Sequence, residues 1–219
     1  MLRPLTLALT LAAVPAISNA ANLTYTSAGT FAAAAGSTVV ESFEASAASV
    51  RIAGVPIVTS LLTVSSPATP LGVQSGPNAP SDGFGSAATD GTQYLSIYRA
   101  NQPIGTLQFS FVAPALAFGF DLTDIEVLGS SISLRTDAGA FAGGVTLETV
   151  NSNIANGSLR FFGVTQDQAF STVFITITGN DEAAGIDNIR IATAPVPLPT
   201  PGLLLGGGLL ALAARRRKV

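Results

Sequence analysis

The sequence predicts an all-β fold, a two-sheet antiparallel β-sandwich of the jelly-roll kind. Three observations lead to this class. Several short segments alternate apolar and polar residues with the period of two that half-buried strands require. Gly, Pro, Asn and Asp separate these segments, as in the turn at residues 137–139. No long stretch has the 3.6-residue period of a helix, and residues 45–52 allow one short helical turn at most.

The predicted strands follow one another at the spacing typical of sandwiches. Residues 107–111 place Leu107, Phe109 and Phe111 on one face, and residues 171–178 do the same for three β-branched side chains, Val173, Ile175 and Ile177. The other predicted strands are 39–44, 57–64, 94–98, 117–122, 131–136, 145–150, 159–164 and 186–192. The Pro-, Gly- and Ser-rich residues 63–92 are predicted to form long loops over one end or edge.

The first 20 residues have the pattern of a Sec signal peptide. Arg3 precedes the apolar run 5–17, and residues 18–20 place small side chains at a cleavage site after Ala20. The apolar run is shorter than the roughly 20 residues that a membrane span needs. We therefore expect export through the Sec translocon and a mature β-sandwich domain of residues 21–193.

The C-terminus predicts a second targeting element. Residues 194–201 form a Pro-rich linker, and residues 202–219 form an apolar helix that ends in four cations, Arg215, Arg216, Arg217 and Lys218. A positive cluster after an apolar segment stays on the cytoplasmic side of the membrane. The tail is thus predicted to be a short transmembrane helix that first holds the exported domain at the inner membrane.

A specific motif precedes this helix. Val196, Pro197, Leu198 and Pro199, followed by the apolar stretch and the four cations, resemble the sorting signal of PEP-CTERM proteins in its VPLP variant. The resemblance implies recognition by an exosortase, a membrane enzyme, and a final location at the cell surface or outside the cell. It also implies a bacterium that makes extracellular polysaccharide.

Composition excludes several classes of function. The chain has no Cys, no His and no Trp, so disulfides, thiolate catalysis, Cys-based zinc sites and a Ser-His-Asp triad are impossible. Residues 21–197 hold all 13 acidic residues but only five of the 10 cations, which gives a formal charge of −8. Nucleic acid is therefore excluded as a partner, whereas Ca²⁺, which prefers carboxylate and carbonyl oxygens, is favoured.

Two short motifs suggest a place for calcium. Residues 41–44, Glu-Ser-Phe-Glu, and residues 185–189, Gly-Ile-Asp-Asn-Ile, resemble the first and last strands of jelly-roll carbohydrate-binding modules. The resemblance implies that these strands are neighbours and that Glu44 and Asp187 bind a structural calcium ion. Glu41 is the alternative acidic ligand. Asn188 stands where an acid is usual in those modules. The alternative is that Glu44 and Asp187 are solvated residues at strand ends.

Residues 113–124 contain a second recurring phrase. Ala-Pro-Ala-Leu-Ala-Phe-Gly resembles a core strand of secreted PEP-CTERM domains, with Phe118 and Phe120 on one buried face and Gly119 at a bulge or a close backbone approach. The acids that follow, Asp121, Asp124 and Glu126, are interpreted as a solvated strand end in preference to a second cation site.

A small sugar-binding platform is a further possibility. Tyr94 and Tyr98 share one face of a predicted strand, and Arg99 follows them. Aromatic faces stack on sugars, but half-buried strand tyrosines are the simpler interpretation.

The function predicted from these observations is non-catalytic: adhesion or scaffolding in an extracellular polysaccharide matrix. Two alternatives stay open. One is a glycan-binding module with a defined sugar site. The other is a hydrolase of matrix polysaccharide that uses two carboxylates, one with a raised pKa.

Overall fold

The computed structural model describes residues 22–76, 85–99, 102–125, 127–152, 157–180 and 183–193. The predicted signal peptide, the linker and the sorting signal, including Val196–Pro199 and the four terminal cations, lie outside the described residues. Within the described ranges no helix is long and apolar enough to cross a membrane.

More than half of the described residues are in antiparallel β-strands, and there is a single helix among them, which confirms the predicted all-β class. Eleven strands and one helix occur in the order β1 (Leu23–Tyr25), α1 (Ala28–Ala35), β2 (Val39–Glu41), β3 (Ile57–Val58), β4 (Leu62–Ser65), β5 (Leu71–Ser75), β6 (Gln93–Tyr98), β7 (Pro103–Thr123), β8 (Ser131–Thr136), β9 (Val145–Thr149), β10 (Leu159–Asn180) and β11 (Ala183–Ala192).

Two long strands, β7 and β10, join all the others into one hydrogen-bonded sheet. Residues 103–110 of β7 pair with the second half of β10, and residues 108–111 pair with β4 on the other side, whereas residues 117–123 lie between β11 and the first half of β10. Pairing is irregular in between, where Val112 and Pro114 are exposed. Proline has no N–H to donate to a ladder, so it is tolerated at such an irregularity. The predicted division into two separate sheets therefore differs from the structure.

The strands nevertheless fall into two groups that share one hydrophobic core. The first group has the order β3-β4-β7-β10-β8-β9, and the second has the order β5-β6-β11-β7-β10-β1, with β2 on β11. Phe109 belongs to the first group and Phe118 to the second, and their ring centroids are 5.7 Å apart. Burial of one such side chain contributes about 1.5–3 kcal/mol, so the shared core holds the two groups together.

The inward faces of the long strands agree with the predicted alternation. Leu107, Phe109, Val173, Ile175 and Ile177 are fully buried. The neighbouring outward positions carry mostly hydroxyl side chains. The period-two pattern therefore predicted both faces of these strands.

The region 57–75 differs from the prediction in two ways. The single strand expected at 57–64 is the hairpin β3–β4, whose turn is held by the Thr59 hydroxyl accepting hydrogen bonds from the N–H groups of Leu61 and Leu62. Within the expected loops, β5 is a regular strand. Its Gly72 lies against residues 49–51, where an added Cβ would come within 2.8 Å of the Ser49 carbonyl oxygen.

The helix α1 was not predicted, because its sequence AGTFAAAA has one large apolar residue and therefore no visible period. That residue, Phe31, is fully buried against Gly119 of β7 and Gly163 of β10, which lie opposite each other. An added Cβ at Gly163 would come within 2.6 Å of the Phe31 ring. At Gly119 the groups that approach closely are the rings of Phe161 and Phe31, where a bulge or a close backbone approach was predicted. The helix forms a small second core there.

Candidate functional site

Acidic residues on or next to the strands of the second group hold residues 85–93, which we call the anchored segment; it is irregular up to Thr92 and ends at the first residue of β6. Asp124 begins the arrangement. It is 1% exposed, and its Oδ2 accepts a hydrogen bond from the Gly85 N–H at 2.8 Å. Its Oδ1 accepts a bond from the Gly157 N–H at 2.9 Å. Both oxygens of this buried carboxylate are therefore paired with backbone amides.

Asp187 holds the middle of the anchored segment. Its side chain is fully buried, and its Oδ2 accepts hydrogen bonds from the N–H groups of Thr89 at 2.7 Å and Asp90 at 2.9 Å. Its Oδ1 accepts a bond from the N–H of Asn188. Burial raises the pKa of the Asp187 carboxyl, although these amides act in the opposite direction.

Asp121 lies directly opposite Asp187 in the β7–β11 register. The Thr89 hydroxyl lies between the two carboxylates, 3.0 Å from Oδ2 of Asp121 and 3.2 Å from Oδ2 of Asp187. Arg190 forms an ion pair with Oδ1 of Asp121 at 3.4 Å. The like charges, which would repel each other across the strands, are thus surrounded by donors.

Glu44 holds the far end of the anchored segment. Its Oε1 accepts hydrogen bonds from the N–H groups of Gln93 and Thr92, and these lower the pKa of its carboxyl. Gly91 makes room for this carboxylate: its φ is +69°, and an added Cβ would lie 2.5 Å from Oε1 of Glu44. Glu41, in contrast, accepts a bond from the N–H of Phe43, a buried residue at φ +61°.

The motif at residues 185–189 is explained by this arrangement. Gly185 lets Thr123 approach closely, since an added Cβ would lie 2.5 Å from the Thr123 hydroxyl oxygen. Asn188 adopts φ +51° at a register shift and donates from Nδ2 to Asp121 at 3.0 Å. Asn tolerates this left-handed conformation better than most residues. An Asn is therefore suited to the position where the resemblance led us to expect an acid.

The interpretation of Asp121 and Asp124 as a solvated strand end was wrong. Both are buried, because each accepts hydrogen bonds from the anchored segment or its surroundings. Glu126 lies outside the described residues. The role of these acids was hidden in the sequence, since their donors are more than thirty residues away: the backbone N–H groups of Gly85 and Gly157 for Asp124, and the Thr89 hydroxyl for Asp121.

The predicted calcium ligands are placed on neighbouring strands or close to them. The strand β2, which ends in Glu41, pairs with β11, as the resemblance implies. Glu44, however, binds residues 92–93 and Asp187 binds residues 89–90. The described residues contain no group of three or more acidic, His or Cys side chains placed to hold a metal. The calcium site stays a prediction, and the described donors around these carboxylates are N–H and O–H groups.

The residues of the predicted sugar platform differ in their exposure to solvent. Tyr94 is fully buried in the core, so its ring has no face available for stacking. Tyr98 is half-buried and lies under Arg51, whose guanidinium carbon is 5.5 Å from the ring centroid. Arg99 donates to the carbonyl oxygen of Pro103 at 3.4 Å. These three residues therefore do not form a joint platform.

A different surface presents polar groups to the outside. The outward positions of the central strands of the first group, β7, β10 and β8, form what we call the hydroxyl face: Thr106, Gln108, Phe174, Thr176, Ser133 and Arg135. A cavity of about 260 Å³ lies on this face. This face cannot be seen in the sequence, because each strand contributes only two of these residues and local pattern does not reveal the strand order that brings them together.

A second cavity, of about 570 Å³, lies beside the segment 45–60. Its walls are mainly small or aliphatic, with Val50 and Val58 strongly exposed. Glu41 is the one acidic residue among its described lining residues. The described walls of this cavity therefore hold no pair of carboxylates such as glycoside hydrolysis requires.

Comparison with known proteins gave matches by structure alone; no family model and no curated protein matched the sequence. The K2 cleaved adhesin domain of Lys-gingipain matches with a TM-score of 0.47 and 14% identity, covering 72% of this chain and 99% of that chain. The carbohydrate-binding module TmCBM61, in complex with beta-1,4-galactotriose, matches with a TM-score of 0.36 and 14% identity, covering 57% and 82%. The catalytic domain of a GH87 alpha-1,3-glucanase matches with a TM-score of 0.38 and 12% identity, covering 75% and 29%. Because these scores are low, the description of the fold depends on the strand pairing given above.

Proposed function

We propose that the protein is a non-catalytic, exported domain that works in adhesion or scaffolding at the cell surface or in the extracellular polysaccharide matrix. Its C-terminal tail is the sorting signal that an exosortase recognises. One observation carries the non-catalytic part: the carboxylates of Asp121, Asp124, Asp187 and Glu44 accept hydrogen bonds from the domain's own N–H and O–H groups. Their role is to hold the anchored segment.

The location is supported by the sequence at both ends, the signal-peptide pattern and the VPLP motif with its four cations. The test uses the full chain in a Gram-negative bacterium that has an exosortase. Mass spectrometry of the surface or released form is expected to find no peptide that contains Arg215–Lys218. A released protein that keeps these residues would contradict processing of the tail.

The adhesive role is tested by retention in the matrix. Cells that export the full chain are expected to hold it in the polysaccharide fraction, and a chain with Val196–Pro199 replaced by alanines is expected to stay with the inner membrane. A wild-type protein found only in the medium, without polysaccharide, would overturn the proposal.

One observation favours the hydrolase alternative: Asp121 and Asp187 form a buried pair of opposed carboxylates, and the pKa of one is raised. Residues 89–90 lie over Asp187 and occupy its oxygens, which supports the structural role instead. The experiment is incubation of the full-length protein with matrix polysaccharide. Depolymerisation that Asp187→Asn abolishes would establish the hydrolase.

A further inference from the structure

The hydroxyl face contains one cation in an unusual setting. The guanidinium carbon of Arg135 lies 3.9 Å from the centroid of the Phe174 ring, and the two residues are paired across β8 and β10. Such stacking fixes the plane of a guanidinium and leaves its N–H groups free to donate. Within the part of the chain that the structure describes, Arg135 makes no ion pair. The nearest acid along the chain, Asp137, accepts a hydrogen bond from the N–H of Ser171.

The cavity beside Arg135 is lined by hydroxyl groups. Thr106, Thr176 and Ser133 line it together with Arg135 and Phe174, and no acidic residue is among its described lining residues. The hydroxyl oxygens of Thr106 and Thr176 are 2.8 Å apart. Since a hydroxyl has one donor and two acceptor lone pairs, each of these groups keeps unused hydrogen-bonding capacity. At one edge Gly143 leaves open space, because an added Cβ there would have no neighbour within 4 Å.

The hydroxyl groups continue beyond the cavity as an ordered array. Ser131 and Thr178 form the next cross-strand pair, with their hydroxyl oxygens 2.7 Å apart. Successive outward residues of a strand are about 6.6–6.8 Å apart, and neighbouring strands are about 4.7–4.9 Å apart. An extended ligand with many hydroxyl groups can therefore contact several rows at once, whereas a small anion would use only Arg135.

The charge of the face selects among such ligands. Arg135 is the only charged residue among the six that define it, and a planar guanidinium binds a carboxylate through two parallel hydrogen bonds. The domain as a whole has a formal charge of −8 over residues 21–197, which disfavours a dense polyanion such as nucleic acid. Distant acids are screened beyond about 8 Å at physiological salt, so a carboxylate at Arg135 experiences mainly the local cation.

We propose that the hydroxyl face binds a polysaccharide that carries carboxylate groups, with a carboxylate on Arg135 and sugar hydroxyls on Thr106, Thr176 and Ser133. Phe174 contributes by holding the guanidinium. This inference deepens the proposed function, on which it rests, by assigning the surface and the chemical class of the matrix ligand.

The test measures binding of the purified full-length protein to polygalacturonate and, as the neutral counterpart, to galactan. Wild type is expected to bind polygalacturonate more tightly, and Arg135→Gln is expected to weaken this binding at least about tenfold. Arg51→Gln is the matched control, because Arg51 also lies over a ring but outside the hydroxyl face, and it is expected to bind as wild type. Arg135→Lys keeps the charge but loses the planar group that donates two parallel hydrogen bonds, so its affinity for polygalacturonate is expected to be intermediate.

Two results would overturn the inference: equal affinity of wild type for the two polymers, or unchanged affinity of Arg135→Gln with its melting temperature preserved. Neither result would bear on the proposed function if the protein is still retained in the matrix. Loss of retention in wild type, in contrast, removes the proposed function whatever the binding data show.

Discussion

The anchored segment and the hydroxyl face use polar side chains in opposite ways. Around the anchored segment, Asp124 and Asp187 are buried and their oxygens are paired with backbone amides. On the hydroxyl face, Arg135 is exposed and its described contact is the ring of Phe174. The carboxylates around the anchored segment are therefore used within the fold. The guanidinium of Arg135, the one charge of the hydroxyl face, is the group that we propose for a ligand.

The largest expected effect comes from Asp187→Ala, which leaves the amides of Thr89, Asp90 and Asn188 without their acceptor. Thr89 and Asn188 are partly buried and Asp90 is exposed. An unsatisfied buried donor costs about 1–3 kcal/mol, so we expect the free energy of unfolding to fall by more than about 2 kcal/mol. The measurement is denaturant unfolding of the full-length protein. Thr176→Ala on the hydroxyl face is the matched comparison and is expected to cost less than about 1 kcal/mol. Similar losses for the two variants would remove the distinction between the regions.

A smaller effect is expected at Gly91, where the backbone makes room for Glu44. Gly91→Ala places a Cβ 2.5 Å from Oε1 of Glu44. It also forces an alanine to adopt the φ of +69° that glycine has there. We expect a loss of about 1–2 kcal/mol, since the left-handed conformation is strained for alanine and the carboxylate must move. In the double variant with Glu44→Ala, which removes the atoms that the added Cβ would meet, the loss caused by Gly91→Ala is expected to shrink. Additive losses would show that backbone strain alone is responsible.

The two carboxylates that hold the anchored segment, those of Glu44 and Asp187, are expected to affect the pH dependence of stability in opposite directions. The amides of Gln93 and Thr92 lower the pKa of Glu44 below its ordinary 4.5, so the stability that Glu44 contributes is present above that pH and is lost as pH falls through the lowered value. Burial raises the pKa of Asp187 above its ordinary 3.8. The stability gained from protonating Asp187 in the folded state is therefore present below that pH and is lost as pH rises through the raised value, separately from what its hydrogen bonds to backbone amides contribute.

Unfolding of wild type, Glu44→Gln and Asp187→Asn between about pH 3 and pH 6 measures both contributions. The difference between wild type and Glu44→Gln is expected to grow with pH, and the difference between wild type and Asp187→Asn is expected to shrink. Two differences that change in the same direction would contradict the assigned environments.

The smallest effect is expected from calcium. N–H and O–H donors surround the carboxylates of Glu44 and Asp187, so we expect the melting temperature to be the same with calcium and with chelator. A ligand that binds only the folded state must raise stability. A clear increase in calcium would therefore establish the predicted metal site in spite of these donors.

Much of the fold could be predicted from local pattern. The alternation in residues 107–111 and 171–178 identified the inward residues correctly, because a strand with one buried face must alternate. The helix α1 escaped prediction because its alanines carry no hydrophobic period. The strand β5 escaped because it offers only Leu71 and Val73 as alternating apolar residues within a Pro-, Gly- and Ser-rich stretch. Their positions are set by tertiary contacts, such as that of Phe31 with Gly163.

The candidate sites were less predictable than the fold. Asp187 was singled out from its motif, but its partners at residues 89–90 could not be read from the sequence, because backbone donors leave no trace in residue identity. Arg135 and Phe174 are also distant in sequence and become neighbours only through the β8–β10 register. Tyr94 and Tyr98 share a strand face, yet the core covers one and not the other.

The continuity of β7 and β10 has a consequence for how the protein unfolds. Each of these strands belongs to both strand groups, so neither group can separate from the core without breaking the ladder of the other. Unfolding is then expected to be one cooperative transition, with the slowest amide hydrogen exchange in the central pairs of β7 and β10. Because the open form is then populated only through global unfolding, the folded chain is expected to expose few partly opened segments to proteases.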